Sequence, residues 1–158
     1  MKDIPDNNSI TVAAHRKNLH AIRTFVHTQA CRASFSDAEC AHIELAIDEV
    51  CANVIEHNYK DDENERLTVA IDFDPDKFYV TITDNGEQFN PTEAKLPNLQ
   101  QHAHEYRTRG LGIYLMTKVM NEIHYEYKNN EINCLELIKY IRHDSIEEAA
   151  LIEEAEPV

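Results

Sequence analysis

The placement of glycine constrains this chain more than any other feature of its sequence. The 158 residues contain only three glycines, and all three border one polar segment: Gly86 precedes it, and Gly110 and Gly112 follow it. Glycine tolerates positive φ and lets a backbone approach another group closely. Segment 87–109 is long, polar and without clear periodicity. Since such segments in compact domains are usually functional or disordered, we predict a hinged cover over a ligand.

The flanking segments predict a layered α+β domain. Residues 15–32 and 36–58 carry apolar side chains at helical spacing, and Ser36 and Glu39 have the spacing of a capping box. A third helix is predicted over 111–120. The predicted strands are 9–14, 67–73, 77–83, 122–127 and 133–141. The order β-α-α-β-β-lid-α-β-β predicts a two-layer α/β sandwich, with helices on one face of a mixed, mostly antiparallel sheet.

Charge and hydropathy limit the classes of partner. The net charge is −14, and residues 144–158 contain six acidic and no basic residues. Direct nucleic-acid binding needs a basic footprint, so we expect none. No stretch approaches the roughly 18 apolar residues that span a bilayer, and no signal peptide is recognisable, so we expect a cytoplasmic protein without membrane contact. Residues 143–158 are predicted to be an acidic tail beside a domain at 9–142.

The four cysteines show no C-x-x-C spacing. A zinc ribbon or a redox dithiol motif is therefore poorly supported by the sequence. We expect buried or half-buried thiols in a reducing cytosol, because free cysteine is among the most buried residue types.

Three polar residues of the predicted helix 36–58 share one face. Glu49, Asn53 and His57 follow one another at intervals of four. A solvated helix face is one interpretation. The functional interpretation is that Asn53 offers its carbonyl oxygen to Mg²⁺ while Glu49 positions or deprotonates a nucleophile. His57 either supports this site or only packs at the helix end.

The glycine-bordered positions suggest contacts to a nucleotide. Asp84-Asn85-Gly86 ends a predicted strand, where such a sequence is most often a turn. A buried Asp84 there can accept a hydrogen bond from the exocyclic amine of adenine. Residues 110–112 lead into a helix, whose first N–H groups and dipole favour a phosphate. Neither a P-loop motif nor G-x-G-x-x-G is present, which excludes those two phosphate sites.

In this order the motifs resemble those of the GHKL (Bergerat-fold) ATPases. Segment 44–59 resembles the family's N box, 83–91 the first glycine box and 109–115 the second. The short length, Phe89-Asn90-Pro91 at the start of the lid and the ending 133–139 are most similar to the anti-sigma factor serine/threonine kinases of the RsbW and SpoIIAB type. The likeness covers roughly residues 10–142. Two departures are Gln88, where many relatives carry a second glycine, and Asn133-Cys134, where some carry Gly-Thr.

The resemblance implies a role for each matching residue. Glu49 is implied as the catalytic base, Asn53 as the Mg²⁺ ligand and Asp84 as the adenine contact. The further nucleotide-binding positions are His57, Gly86, Gly110, Leu111 and Gly112. A lid arginine, Arg109 or Arg107, is implied as a contact to the γ-phosphate.

The implied activity is transfer of the ATP γ-phosphoryl group to a Ser or Thr of a small anti-sigma-factor antagonist, with sequestration of a sigma factor. Relatives further imply a homodimer. An alternative is an ATP-gated partner-binding switch without phosphotransfer. A detached histidine-kinase catalytic domain is disfavoured, because no acceptor helix pair is recognisable in the sequence.

Overall fold

In the part of the chain that the structure describes, three α-helices occur in the order that the periodicity and capping signals predict. The structure is a computed structural model that describes residues 8–56, 64–90 and 111–143. Helix α1 (Leu19–Arg32) follows a single 3₁₀ turn at Arg16–Asn18. Helix α2 (Asp37–Val54) starts at Ser36, whose Oγ accepts from the backbone N–H of Glu39 at 3.2 Å while the Glu39 carboxylate accepts from the Ser36 N–H at 3.1 Å. Helix α3 spans Leu111–Val119. Within the described residues, no helix has the length and apolarity needed to cross a membrane.

Among the described residues, five strands form one sheet in the order β1-β2-β3-β5-β4, and each of its four pairings is antiparallel. The strands are β1 (Ser9–Ala13), β2 (Arg66–Phe73), β3 (Lys77–Asp84), β4 (Glu122–Lys128) and β5 (Ile132–Tyr140). Between β2 and β3, the Asp74 carboxylate accepts from the backbone N–H groups of Asp76 and Lys77, both at 2.8 Å, which closes the predicted turn. In the strand order β1-β2-β3-β5-β4, β3 is the central strand.

The core lies between one face of this sheet and the helices. Alternate residues of β3 are buried, and Phe78 and Ile82 among them are at most 1% exposed. Ile22 of α1, Ile47 of α2 and Met116 of α3 belong to the same buried cluster. Because all three helices pack into one core, the described helices cover one face of the sheet, as the α+β prediction requires.

The predicted element order is confirmed for the described residues, with two adjustments. The helix predicted to reach residue 58 ends as α2 at Val54, and Ile55 and Glu56 continue it in a wider π-type turn. The 15–32 segment is a 3₁₀ turn followed by α1, and not one helix. Residues 91–109 of the predicted lid (87–109) and residues 144–158 of the predicted acidic tail (143–158) lie outside the described residues.

The prediction that all cysteines are buried or half-buried is wrong at Cys31. Cys40 and Cys51 are buried and Cys134 is intermediate, but Cys31 is exposed. The reason is its position on α1: Cys31 comes one turn after His27, on the exposed polar face of that helix and opposite the buried Ile22 and Val26.

Candidate functional site

Helix α2 places one polar side chain on its buried face. Asn53 comes three residues after Val50 and seven after Ala46, so helical periodicity puts it beside these core residues. Its side chain is only 6% exposed. Glu49 lies one turn earlier, half-buried, on the neighbouring part of the same face. A fully solvated polar stripe is therefore ruled out for Asn53.

The buried amide of Asn53 has an unmet hydrogen-bonding group. Its Nδ2 has no hydrogen-bond partner among the described residues. Such groups are costly in a protein interior and usually indicate a missing ion, water or ligand. Rotation of the carboxamide exchanges its nitrogen and oxygen ends, so the same position can present either a donor or an acceptor. An adjacent bound group is what this residue requires.

Glu49 lies in an environment that favours its protonated form. Burial first, and the neighbouring Asp48 carboxylate second, raise the pKa of Glu49. Burial likewise raises the pKa of Asp48, against the opposing effect of the Arg23 guanidinium, whose Nη1 is 3.3 Å from its Oδ1. Both carboxyl groups therefore have raised pKa values. Asp48 is held by α1 in an ion pair, and the raised pKa of Glu49 is of the kind found in general bases.

Asp84 is placed toward the helices by the alternation of β3. Phe78, Val80 and Ile82 point into the core, and Asp84 is the next residue in that series, only 5% exposed. Burial first, and then the carboxylates of Asp48 and Asp84, raise the pKa of the fully buried Cys51 on α2. The end of β3 therefore faces the same helix that carries Glu49 and Asn53.

A residue that was not among the predicted site positions holds Asp84 in place. Asn133 pairs with Asp84 across β3 and β5 and is 4% exposed. Its Nδ2 donates to Asp84 Oδ1 at 3.0 Å and to the carbonyl of Glu87 at 2.9 Å, and its Oδ1 accepts from the N–H of Phe89 at 3.1 Å. The N–H of Gly86 also donates to Asp84 Oδ1, at 3.0 Å.

Asn133 therefore joins the predicted adenine-binding carboxylate to the first residues of the predicted lid. The available signal was a polar residue at an inward-facing position of a strand that otherwise alternates with Leu135 and Leu137. In the sequence, Asn133 begins the family-like segment 133–139 and also departs from some relatives, and neither property predicts this role.

The structure covers part of the predicted site. Glu49, Asn53, Asp84 and Gly86 are described, and the first three occupy half-buried or buried positions on α2 and at the end of β3. Leu111 and Gly112 form the start of α3, as predicted. His57, Arg109 and Gly110 lie outside the described residues.

The described cavities do not coincide with this group. One of about 450 Å³ lies between the end of α1 and the β2–β3 turn and contains none of the predicted site residues. Another, of about 180 Å³, includes Asp84 but is otherwise lined from the outer face of the sheet, by residues such as Thr68 and Thr83. Residues 91–110, which include most of the predicted lid and Gly110, lie outside the described part of the chain. The buried polar side chains of Asn53 and Asp84, and not a cavity, therefore mark the candidate site.

The chain is similar to known proteins over most of its length. The family model described as the histidine kinase-like ATPase domain matches residues 12–139. The serine-protein kinase RsbW of Bacillus subtilis is 24% identical over 160 residues, covering 99% of each chain. RsbW of Listeria innocua is 29% identical over 125 residues, covering 77% of this chain and 78% of that one.

Solved structures share the fold at low identity. The RsbU and RsbW domains of a Mycobacterium tuberculosis protein match with a TM-score of 0.59 at 16% identity, over 85% of this chain and 32% of that longer chain. The SiaB–SiaC complex of Pseudomonas aeruginosa matches with a TM-score of 0.57 at 13% identity, over 82% of this chain and 87% of that chain. The family match spans every described strand and helix, from within β1 to within β5. The chain belongs to the histidine kinase-like ATPase domain family.

Proposed function

We propose that this chain is an ATP- and Mg²⁺-dependent serine/threonine protein kinase of the anti-sigma factor type, with its catalytic domain at residues 9–142. The observation that carries the proposal is the buried, unsatisfied amide of Asn53, one helical turn after a half-buried Glu49 with a raised pKa. Relatives named serine-protein kinase RsbW, aligned over 77–99% of the chain, support this class of activity.

Asp84 is proposed to select adenine. Its Oδ1 already accepts hydrogen bonds from Gly86 and Asn133, which fix the carboxylate at the end of β3. A fixed carboxylate accepts well from the exocyclic amine of adenine, whereas guanine presents a carbonyl oxygen at the corresponding position. Two acceptors facing each other are repulsive, so this arrangement favours ATP over GTP.

Asn53 is proposed to hold Mg²⁺. The unpartnered atom of its buried amide is the Nδ2 donor, and rotation of the carboxamide brings the carbonyl oxygen, the end that can bind Mg²⁺, to the same position. Among the described residues no group of three or more His, Cys, Asp and Glu side chains is arranged to hold a metal. A magnesium site does not require one, because Mg²⁺ usually takes one or two protein ligands with waters and phosphate oxygens. When bound, this ion neutralises charge on the phosphates of the nucleotide.

Phosphate contacts are proposed at the start of α3. Helix N-termini bring unpaired N–H groups and a positive dipole end to an anion, and α3 begins at Leu111. Gly110 and Gly112 are proposed to let the backbone approach the phosphates, and Arg109 to make a charge-assisted contact. His57 is proposed to support the site from beyond the end of α2.

Glu49 is proposed as the general base that accepts the proton of the acceptor hydroxyl. A base works best when its pKa approaches the operating pH, and the raised pKa of Glu49 moves it in that direction. Phosphoryl transfer otherwise demands positioning and charge neutralisation. The proposed acceptor is a Ser or Thr of a small anti-sigma-factor antagonist, and the proposed second partner is a sigma factor bound by a homodimer of this chain.

The test is incubation with γ-labelled ATP, Mg²⁺ and a candidate antagonist protein from the same organism. Acid-stable label on Ser or Thr is expected with the wild type, and loss of at least about 100-fold in rate with Glu49→Gln. Glu56→Gln is the matched control, since Glu56 is on the same helix segment but pairs with Arg16 at 3.7 Å.

Each contrary result has a distinct meaning. Nucleotide binding without any transfer would replace the kinase by the ATP-gated switch. Acid-labile label would indicate phosphohistidine and a histidine kinase. Unchanged transfer by Glu49→Gln would refute the role of Glu49 as the base.

A further inference from the structure

Four side chains form a cluster between α1 and α2, outside the proposed nucleotide site. We call His27, Cys31, Cys40 and Glu44 the thiol cluster. The Sγ atoms of Cys31 and Cys40 lie 3.6 Å apart, and Cys31 Sγ is 3.5 Å from His27 Nε2. His27 Nδ1 is 3.0 Å from the Glu44 carboxylate. Cys40 is nine residues before Glu49 on α2, which is about 13 Å along a helix.

The two sulfur atoms have different surroundings. Cys31 is exposed and contacts an imidazole, whereas Cys40 is fully buried and donates to the carbonyl of Phe35 at 3.6 Å. Burial first, and then the hydrogen bond with Cys31, raise the pKa of Cys40 to about 11. Cys40 therefore remains a thiol at neutral pH, and a reagent from solvent meets Cys31 first.

His27 is oriented to take a proton from Cys31. When its Nδ1–H donates to Glu44, the Nε2 atom is left as an acceptor that faces the Cys31 thiol. A thiol with an adjacent base held by a third group is the arrangement that activates nucleophilic cysteines. The thiol cluster supplies all three groups, and a second thiol in contact with the first.

We propose that the thiol cluster is an oxidation site for hydroperoxides, in which Cys31 attacks the peroxide and Cys40 resolves the product as a reversible disulfide. In the first step His27 takes the Cys31 proton, an S–O bond forms and the peroxide O–O bond breaks. The sulfur is oxidised to a sulfenic acid, and the peroxide is reduced to water or an alcohol that carries away the proton from His27.

In the second step Cys40 attacks the Cys31 sulfur. The S–S bond forms, the S–O bond breaks, and hydroxide leaves as water with the proton of Cys40. The sulfur atoms must approach from 3.6 Å to a bond of about 2.05 Å. The product joins the end of α1 to the first turn of α2, the helix that carries Glu49 and Asn53. It closes the Ala33–Phe35 connection between the two helices.

The experiment uses the reduced full chain, one equivalent of hydrogen peroxide at neutral pH and a maleimide quench. With the quench carried out on the unfolded chain, two maleimide adducts are expected in place of four, together with a loss of 2 Da for the disulfide, reversal by dithiothreitol, and linkage of the tryptic peptides 24–32 and 33–60. The second peptide also contains Cys51, so fragment ions must place the bond at Cys40. Cys31→Ser, at an exposed position, is expected to abolish the bond without loss of fold. In Cys40→Ser the reaction is expected to stop after the first step, and dimedone is expected to trap the Cys31 sulfenic acid.

The activating groups have matched controls. His27→Gln is expected to slow Cys31 oxidation at least about tenfold, and Glu44→Gln to slow it to a smaller extent. Cys134→Ser and Cys51→Ala are expected to leave the rate unchanged. If Cys40→Ser does not fold, the same intermediate is measured in the wild type, by trapping the Cys31 sulfenic acid with dimedone at early times.

Three results would overturn the proposal. Cys31 reacting no faster than Cys134 would remove the activation by His27. A disulfide that forms only between two copies of the chain would remove Cys40 as the partner. One zinc ion per chain, protecting both thiols in the purified protein, would make the cluster a metal site instead.

Discussion

Replacing Asn133 by alanine is expected to destabilise the fold and to weaken nucleotide binding together. Asn133 is 4% exposed and joins Asp84 to the backbone of residues 86–89. It also accepts from the Tyr125 hydroxyl. The substitution removes all of these bonds while leaving their partners in place.

The expected loss in the free energy of unfolding follows from the hydrogen-bonding groups that Asn133→Ala leaves unpaired. Loss of the donor to the buried Asp84 carboxylate costs about 1.5–3 kcal/mol, and each bond to a neutral group about 1 kcal/mol. Residues 86–89 are partly exposed, so water can replace some of their bonds. We expect a net loss of about 2–4 kcal/mol, equivalent to a Tm lower by roughly 5–12 °C for a domain of this size. Because Asp84 is then held less firmly, we also expect at least about tenfold weaker ATP binding.

Thermal unfolding and calorimetric titration with ATP measure the two effects. Tyr125→Phe is the matched control, since it removes one hydroxyl from the same network and leaves the bond to Asp84. It is expected to lower the free energy of unfolding by about 1 kcal/mol and to leave ATP affinity nearly unchanged. If Asn133→Ala behaves like Tyr125→Phe in both assays, the reasoning about Asp84 is wrong.

Three further substitutions test other parts of the structure. Ser36→Ala removes the capping bond to Glu39 and is expected to cost about 1 kcal/mol in urea unfolding, and no loss would show that the cap contributes nothing. Phe78→Ala removes a fully buried ring that meets Phe35 edge-on at 5.3 Å and is expected to cost about 3–5 kcal/mol, whereas a cost below about 1 kcal/mol would place Phe78 outside the core. Glu49→Gln is expected to raise the Tm at pH 7, because the raised pKa of Glu49 means that its charged form opposes folding. The stability that the protonated group provides is present at low pH and is lost as the pH rises through the raised pKa. The gain in Tm should therefore vanish below about pH 4. A lower Tm for Glu49→Gln at pH 7 would contradict that sign.

Most of the fold was predictable because its signals are local. The capping box at Ser36 fixed the start of α2, and strand alternation located β2 and β3 to within one residue. The sheet order was not predictable, because β5 inserts between β3 and β4 and nothing in a single sequence specifies that pairing. The 3₁₀ turn before α1 was also missed, since helical spacing does not distinguish the two helix types over three residues.

The candidate site was predictable to the extent that its residues lie on one element. The spacing of Glu49 and Asn53 is a property of a single helix, and the alternation of β3 placed Asp84 inward. Asn133 acts across two strands that are 49 residues apart in sequence at this pair, so its role requires the register of β3 and β5. The thiol cluster was missed for the same reason, because Cys31 and Cys40 are on different helices and their contact depends on how α1 packs on α2.

The most direct measurement is calorimetric titration of the chain with Mg·ATP and with Mg·GTP, for the wild type and for Asp84→Asn. One ATP per chain is expected to bind, with GTP at least about tenfold weaker. Asp84→Asn is expected to lose most of the ATP affinity and the preference over GTP while remaining folded. No heat of binding with either nucleotide, or equal affinity for ATP and GTP that Asp84→Asn leaves unchanged, would contradict an adenine-nucleotide site at the end of β3.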